Sequence, residues 1–224
     1  MIRNRSKMKL QGRCILCEQE SAERLHLCAV CFQDLTRCPP VNLLGLMYRP
    51  PQRVRMALAP LWYQSTVKRW LALYKFRQGE HEAFAMAELI AAHAVFMYRE
   101  QRIRMPNLLL AVPQSYAAWY QRGFNQAQRL ADHLGDLLGI EVCHSAQRVR
   151  TRGKAHKAGA QQRRALLAES FKATEVLPKG SRVALVDDVI TTGATLGALA
   201  SVLPSRGVVI DAWALAYTPP PSFN

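Results

Sequence analysis

Acidic residues are scarce in this chain. It carries 16 Asp and Glu against 30 Lys and Arg, a formal net charge of +14. A deficit of this size argues for a polyanionic partner: nucleic acid, phosphates or an anionic surface. Long apolar runs are lacking too. The two longest uncharged stretches, 105–121 and 189–205, are broken by Pro106, Asn107, Pro113 and Gln114, and by Thr191, Thr192, Gly193 and Thr195. Neither is long and apolar enough for a membrane span. The basic start (Arg3, Arg5, Lys7, Lys9, Arg13) leads into no apolar segment of the kind a secretory signal needs, so the expected location is the cytoplasm. Cysteines number only 6 in 224 residues, too few for a disulfide scaffold. Half the residues are hydrophobic, enough for a real core, so wholesale disorder is excluded.

The few cysteines are unevenly placed. Cys14, Cys17, Cys28, Cys31 and Cys38 all precede residue 39. Cys14-x2-Cys17 and Cys28-x2-Cys31 each set two thiolates on a tight knuckle, and two knuckles complete a tetrahedral site for Zn²⁺. Four thiolates leave no open position, so the metal is structural rather than catalytic. A redox pair is the weaker reading, because it needs one such motif rather than two. His26 and Cys38 are spare ligands, and Cys143 reads as a small buried hydrophobe. This gives a zinc ribbon or knuckle module at 10–38. Pro39, Pro40, Pro50, Pro51 and Pro60 then mark 39–60 as a linker, or an extended wrap on the main domain.

From 61 to 218 strands and helices alternate. Helices are expected at 66–76 (capped by Ser65 or Thr66), 82–102, 124–138 (stopped by Gly139), in the second half of 148–172, and at 195–203. Strands are expected at 108–112, 140–143, 183–186 and 208–217. The fold class is therefore α/β, a mostly parallel sheet with helices on both faces. Pro219, Pro220 and Pro221 read as a frayed end.

The segment 183–195 carries the second strong signal. A buried strand delivers Asp187 and Asp188, and a small hydroxyl-rich turn, Thr191-Thr192-Gly193-Ala194-Thr195, opens a helix. A helix start offers free N–H groups and a positive dipole end to a phosphate. Gly193 permits close backbone approach. Asp187 and Asp188 accept from sugar hydroxyls or hold Mg²⁺ through water. The segment resembles the ribose-5-phosphate signature of type I phosphoribosyltransferases, which use phosphoribosyl pyrophosphate (PRPP). Tyr74-Lys75-Phe76-Arg77, Val112-Pro113, Arg122-Gly123-Phe124-Asn125-Gln126 and the cysteine module narrow this to the ComF/GntX family over roughly 14–217. That resemblance implies a competence-type protein of DNA uptake and natural transformation. It further implies handling of single-stranded DNA with a helicase-type partner, and a phosphoribosyltransferase-like fold whose pocket would take PRPP with Mg²⁺. Gly153–Gly159 and Ala165-Leu166-Leu167 depart from the family pattern and make that region more basic.

The residues leave three readings of function. In the first, single-stranded DNA lies along basic and aromatic residues. No acid occurs between Asp34 and Glu80, whereas Arg37, Arg49, Arg53, Arg55, Lys68, Arg69, Lys75 and Arg77 do, with Tyr48, Trp62, Tyr63, Trp70 and Tyr74 among them. Trp70 and Tyr74 share a helical face and belong to the core by that spacing. Trp119 and Tyr120 are the better stacking candidates, with Arg148, Arg150, Arg152, Lys154, Lys157, Arg163 and Arg164 as further cations. In the second reading the protein is an active phosphoribosyltransferase, a glycosyl-transfer enzyme. Asp187 and Asp188 then hold ribose and metal, 191–195 the 5′-phosphate, and Arg122, Gly123, Asn125, Lys75 and Arg77 face pyrophosphate or DNA. Asn125 serves equally as a helix cap. In the third, the zinc module is an adaptor for a protein partner.

Overall fold

The computed structural model describes residues 13–19, 26–77, 80–116, 119–120, 123–149, 167, 169–204 and 206–218, with the side chains of Phe76 and Arg77 excepted. The expected helix in the second half of 148–172 and the Pro-rich end lie outside these residues.

A parallel sheet carries the fold. Its strands are β1 (Met56–Leu58), β2 (Leu61–Trp62), β3 (Leu108–Ala111), β4 (Glu141–Cys143), β7 (Arg182–Ile190) and β8 (Val209–Tyr217). The order is β1-β8-β7-β3-β4, with β2 also on β8, and every pairing is parallel. The middle strands are apolar without alternation, as a sheet covered on both faces requires: Leu109, Val183 to Val186 and Ala212 to Ala216 are buried. β5 (Ala146–Arg148) and β6 (Phe171–Ala173) form a separate antiparallel ribbon, which the sequence reading lacked.

Five helices are described: α1 (Ala29–Gln33), α2 (Ser65–Arg77), α3 (Glu80–Glu100), α4 (Gln126–Leu138) and α5 (Ala194–Val202). Their local causes are visible. Asn125 caps α4, its Oδ1 accepting from the Ala127 N–H at 3.1 Å. Gly139 ends it at φ 66, a left-handed geometry that glycine adopts without strain. Leu130, Ala131 and Leu134 form its buried face, packed on α3 and the sheet. Trp70 and Tyr74 of α2 are fully buried, as their shared face predicted.

The crossovers β3–α4–β4 and β7–α5–β8 run in opposite directions along the sheet. Since such crossovers are right-handed, α4 and α5 cover opposite faces. β3 and β7 are neighbours, so the direction of winding reverses between them. Ligands of open parallel sheets bind at the carboxyl side of that switch point.

The proline-rich stretch 39–60 is built onto the sheet. It holds a single 3-10 turn at Leu43–Leu46, and its residues 56–58 are edge strand β1. Residues 36–38 pair with 60–62 through Trp62 N–H to Thr36 O and Cys38 N–H to Pro60 O, both 2.9 Å. Leu16, Leu27 and Leu35 of the cysteine segment join the common core.

Candidate functional site at the switch point

Two charged centres stand out, one in the cysteine segment and one at the switch point. In the first, the ligand atoms of Cys14, Cys17, Cys28 and Cys31 all lie within 4.8 Å of one another. Cys17 Sγ and Cys28 Sγ are 3.6 Å apart. Tetrahedral zinc with bonds of ~2.3 Å separates its sulfurs by about 3.8 Å, so the cluster fits such an ion. Local backbone shapes the second knuckle: the Cys31 N–H donates to Cys28 Sγ at 3.4 Å, capping α1. Burial drives the Cys14 thiol upward, but backbone N–H groups of Cys28, Cys17 and Leu16 outweigh it and bring the pKa to about 6. His26 and Cys38 stand outside the cluster among the described residues. The His26 ring faces His81 and Phe84 of α3, with centroids 6.0 and 6.3 Å away. Cys38 is buried, which pushes its thiol to about 12. Cys143 is half-buried against the core, as expected of a small hydrophobe.

The second centre is a cavity of about 190 Å³ at the switch point. β7 supplies Asp187 and Asp188. The sequence reading ended this strand at Val186, but it runs to Ile190, with Asp187 opposite Ala214 of β8. β3 stops beside Val186, so the last residues of β7 overhang it and the acids line the opening. Gln114, after β3, and Asn125 and Gln126, at the start of α4, form the facing wall. The Asn125 amide is spent on the scaffold, capping α4 and donating to Val112 O at 3.1 Å. Gln126 is fixed from two sides: Tyr74 Oη donates to its carbonyl at 2.9 Å, and Gln114 Nε2 to its side chain at 3.1 Å. Motif reading had no signal for Tyr74 or Gln114 as supports, because neither contact is local in sequence.

Two cations compensate the acids. Lys75 Nζ lies 2.8 Å from Asp188 Oδ2, and both side chains are largely buried. Arg148 lines the same cavity, its guanidinium over the Phe171 ring. Burial, then the adjacent Asp188 charge, raises the Asp187 carboxyl well above the usual range; the Asp188 N–H, 2.9 Å from its Oδ1, and Lys75 oppose this. Lys75, expected at pyrophosphate or DNA, and Arg148, expected at DNA, thus both face the acid pair.

The turn Thr191–Thr195 divides between two cavities. Thr195 lines the acid-pair cavity. Thr192, Gly193 and Ala194 line a neighbouring, largely apolar one of about 480 Å³ below Pro50 and Pro51. Gly193 has φ 71, and a Cβ there would meet Pro51 Cδ at 3.0 Å and Met47 Sδ at 3.3 Å. The close approach that requires glycine is therefore with the proline-rich wrap. Thr191 is exposed.

Several other expected DNA cations are spent internally. The Arg53 guanidinium clamps the end of α5, donating to the carbonyls of Ala200, Leu203 and Pro204 at 2.6–2.8 Å. Arg55 pairs with the fully buried Asp211, which also accepts from Tyr98 Oη at 2.6 Å. Arg49, Lys68 and Arg69 remain exposed. Trp119 and Tyr120 are exposed as expected, at 50% and 78%, and Tyr116 lies tilted beside Trp119 with centroids 6.2 Å apart. Gly123 turns at φ 75. Arg77 ends α2, while Arg122, Arg150, Arg152, Lys154, Lys157, Arg163 and Arg164 lie outside the described residues.

The fold and its two centres define a class: a parallel α/β protein with a ligand cavity at its switch point and an N-terminal four-cysteine cluster. Known proteins resemble the chain over most of its length. DNA utilization protein YhgH of Salmonella typhimurium is 26% identical over 209 residues, 92% of this chain and 91% of that protein. YhgH of Escherichia coli K12 is also 26% identical, over 94% of this chain and 99% of that protein. Competence protein F of Haemophilus influenzae is 34% identical over 124 residues, 53% of each chain. No family model matches the chain. The relatives support the ComF/GntX resemblance. Among the described residues no helix is long and apolar enough to cross a membrane.

Proposed function

We propose that this chain is a competence-type DNA-handling protein that binds single-stranded DNA and carries a pocket for PRPP or a related phosphosugar. One observation supports this most: the acid-pair cavity at the switch point, with Asp187 and Asp188 for ribose hydroxyls and Thr195 at the helix start that faces phosphate. The names of its relatives, DNA utilization and competence, fit that role. Residues 10–38 form the module around a structural Zn²⁺, 39–60 wrap the sheet, and 61–218 form the phosphoribosyltransferase-like domain, working in the cytoplasm.

DNA meets the exposed ring pair Tyr116–Trp119, with Tyr120 nearby, on the helical turn that follows β3. Aromatic faces take bases of any identity, and the +14 charge supplies attraction to the backbone. The test is fluorescence anisotropy of a labelled single-stranded oligonucleotide at several salt concentrations, with and without PRPP. Binding should weaken linearly in log salt, with a slope of about −0.7 per phosphate neutralised. Absence of binding at low salt overturns the DNA reading.

A second reading, phosphoribosyl transfer, draws on Lys75 and Arg148 in the same cavity as counter-charges for a leaving pyrophosphate. Pyrophosphate release from PRPP in the presence of a free base is its assay.

A further inference from the structure

The resemblance brings Mg²⁺ in with PRPP, so the acid pair must be asked whether it can hold such an ion. A divalent ion needs carboxylate oxygens and waters around it, in near-octahedral order for Mg²⁺. At this site one oxygen of each carboxyl is engaged. Asp188 Oδ2 takes the Lys75 ammonium at 2.8 Å, and Asp187 Oδ1 accepts the Asp188 N–H at 2.9 Å. Arg148 adds a second positive charge to the same cavity. The acid pair already faces as many fixed cations as it has carboxyl groups. An ion seated on these oxygens would lie beside an ammonium group in a part-buried site, where like charges repel far more strongly than in water. The donor set does not fit a protein-held divalent ion.

We infer that Lys75 is a tethered counter-ion standing where a divalent ion would sit on the acid pair, so that the cavity takes a phosphorylated pentose without a metal held by the protein. The inference rests on reading the cavity as a phosphosugar site. Lys75 reaches it from the last turn of α2, while neighbouring Tyr74 fixes the opposite wall through Gln126. One turn of helix thus sets both the charge and the shape of the cavity. The paired Asp188 keeps Oδ1 for a sugar hydroxyl, and any metal that arrives is carried by the ligand's own phosphates.

The test is a titration of Mn²⁺ into zinc-loaded protein, followed by electron paramagnetic resonance of the free ion. Lys75→Met should bind Mn²⁺ about tenfold more tightly than wild type, or better, because an uncompensated acid pair is left behind. Lys75→Arg should behave as wild type, and Lys75→Met/Asp188→Asn should lose the gain. Equal Mn²⁺ affinity in wild type and Lys75→Met, or a gain that survives in the double variant, overturns the inference. A second arm needs only wild-type protein. Ribose 5-phosphate is titrated by calorimetry in buffer stripped of divalent ions, then with Mn²⁺. Unchanged affinity supports the tethered counter-ion, and affinity that appears only with Mn²⁺ overturns it. Absence of ribose 5-phosphate binding under both conditions defeats the phosphosugar reading, and the Mn²⁺ arm still decides the role of Lys75.

Discussion

Two clusters of acidic groups, four thiols and two carboxylates, solve the same electrostatic problem in opposite ways. The thiols of Cys14, Cys17, Cys28 and Cys31 converge within 4.8 Å, a set of donors that a metal ion can neutralise. The carboxylates of Asp187 and Asp188 line one cavity, but Lys75 and Arg148 meet their charge from within. One cluster has the ligand set of a metal site. The other, under the proposed function, stays open and receives a ligand through its hydroxyls. A third group, Asp211 with Arg55 and Tyr98, shows the limit of internal compensation: fully buried and bonded from three donors, it braces β8 against β1 and α3.

The largest test of the contrast lies at the thiols. Cys17→Ser/Cys28→Ser should reduce bound zinc to none by metal analysis and open the segment 13–38 to protease. Structural zinc contributes on the order of 10 kcal/mol, more than so short a segment can replace. Retained zinc would break the comparison. Asp211→Ala comes next. It should lower stability to urea by about 2–3 kcal/mol, short of the range for a fully buried pair because Arg55 reaches solvent. Trp119→Ala sharpens the division between cavity and outer face. It should weaken oligonucleotide binding by about tenfold in anisotropy, the scale of one lost stacking contact, without moving the melting temperature.

The smallest effect concerns Asp187. Burial and the neighbouring charge raise its pKa in the folded state. The folded protein then holds a proton that the unfolded chain releases, so this group's contribution to stability falls as pH rises above the ordinary carboxylate range. Asp187→Asn should therefore raise stability at pH 8 by on the order of 1 kcal/mol and have little effect near pH 4. Urea melts at the two pH values read the difference. An equal effect at both would show that the carboxylate is fully compensated.

Legibility in the sequence depended on how local each interaction is. The thiol cluster was legible because each knuckle is made within four residues. The end of α4 was legible for the same reason, through Gly139, while its start falls two residues after the expected one, behind the Asn125 cap. The acid pair was legible as a motif but misplaced in the sheet. Two adjacent charges imitate a strand end, and only the early stop of β3 shows why β7 carries them onward. The β5–β6 ribbon went unread because three-residue strands that include Gln147, Arg148 and Lys172 carry no apolar period. Charge gave the most misleading signal. The run from Arg49 to Arg77 looked like one basic face, yet Arg53, Arg55 and Lys75 each turn to a partner far along the chain.

Calorimetric titration of PRPP into zinc-loaded wild-type protein and into Asp188→Asn tests the central claim most directly. The account predicts one binding site in the wild type and a loss of about tenfold or more in the variant, because the carboxylate is both a ribose acceptor and the anchor of Lys75. Equal affinity in the two proteins, or no binding to either, would contradict it.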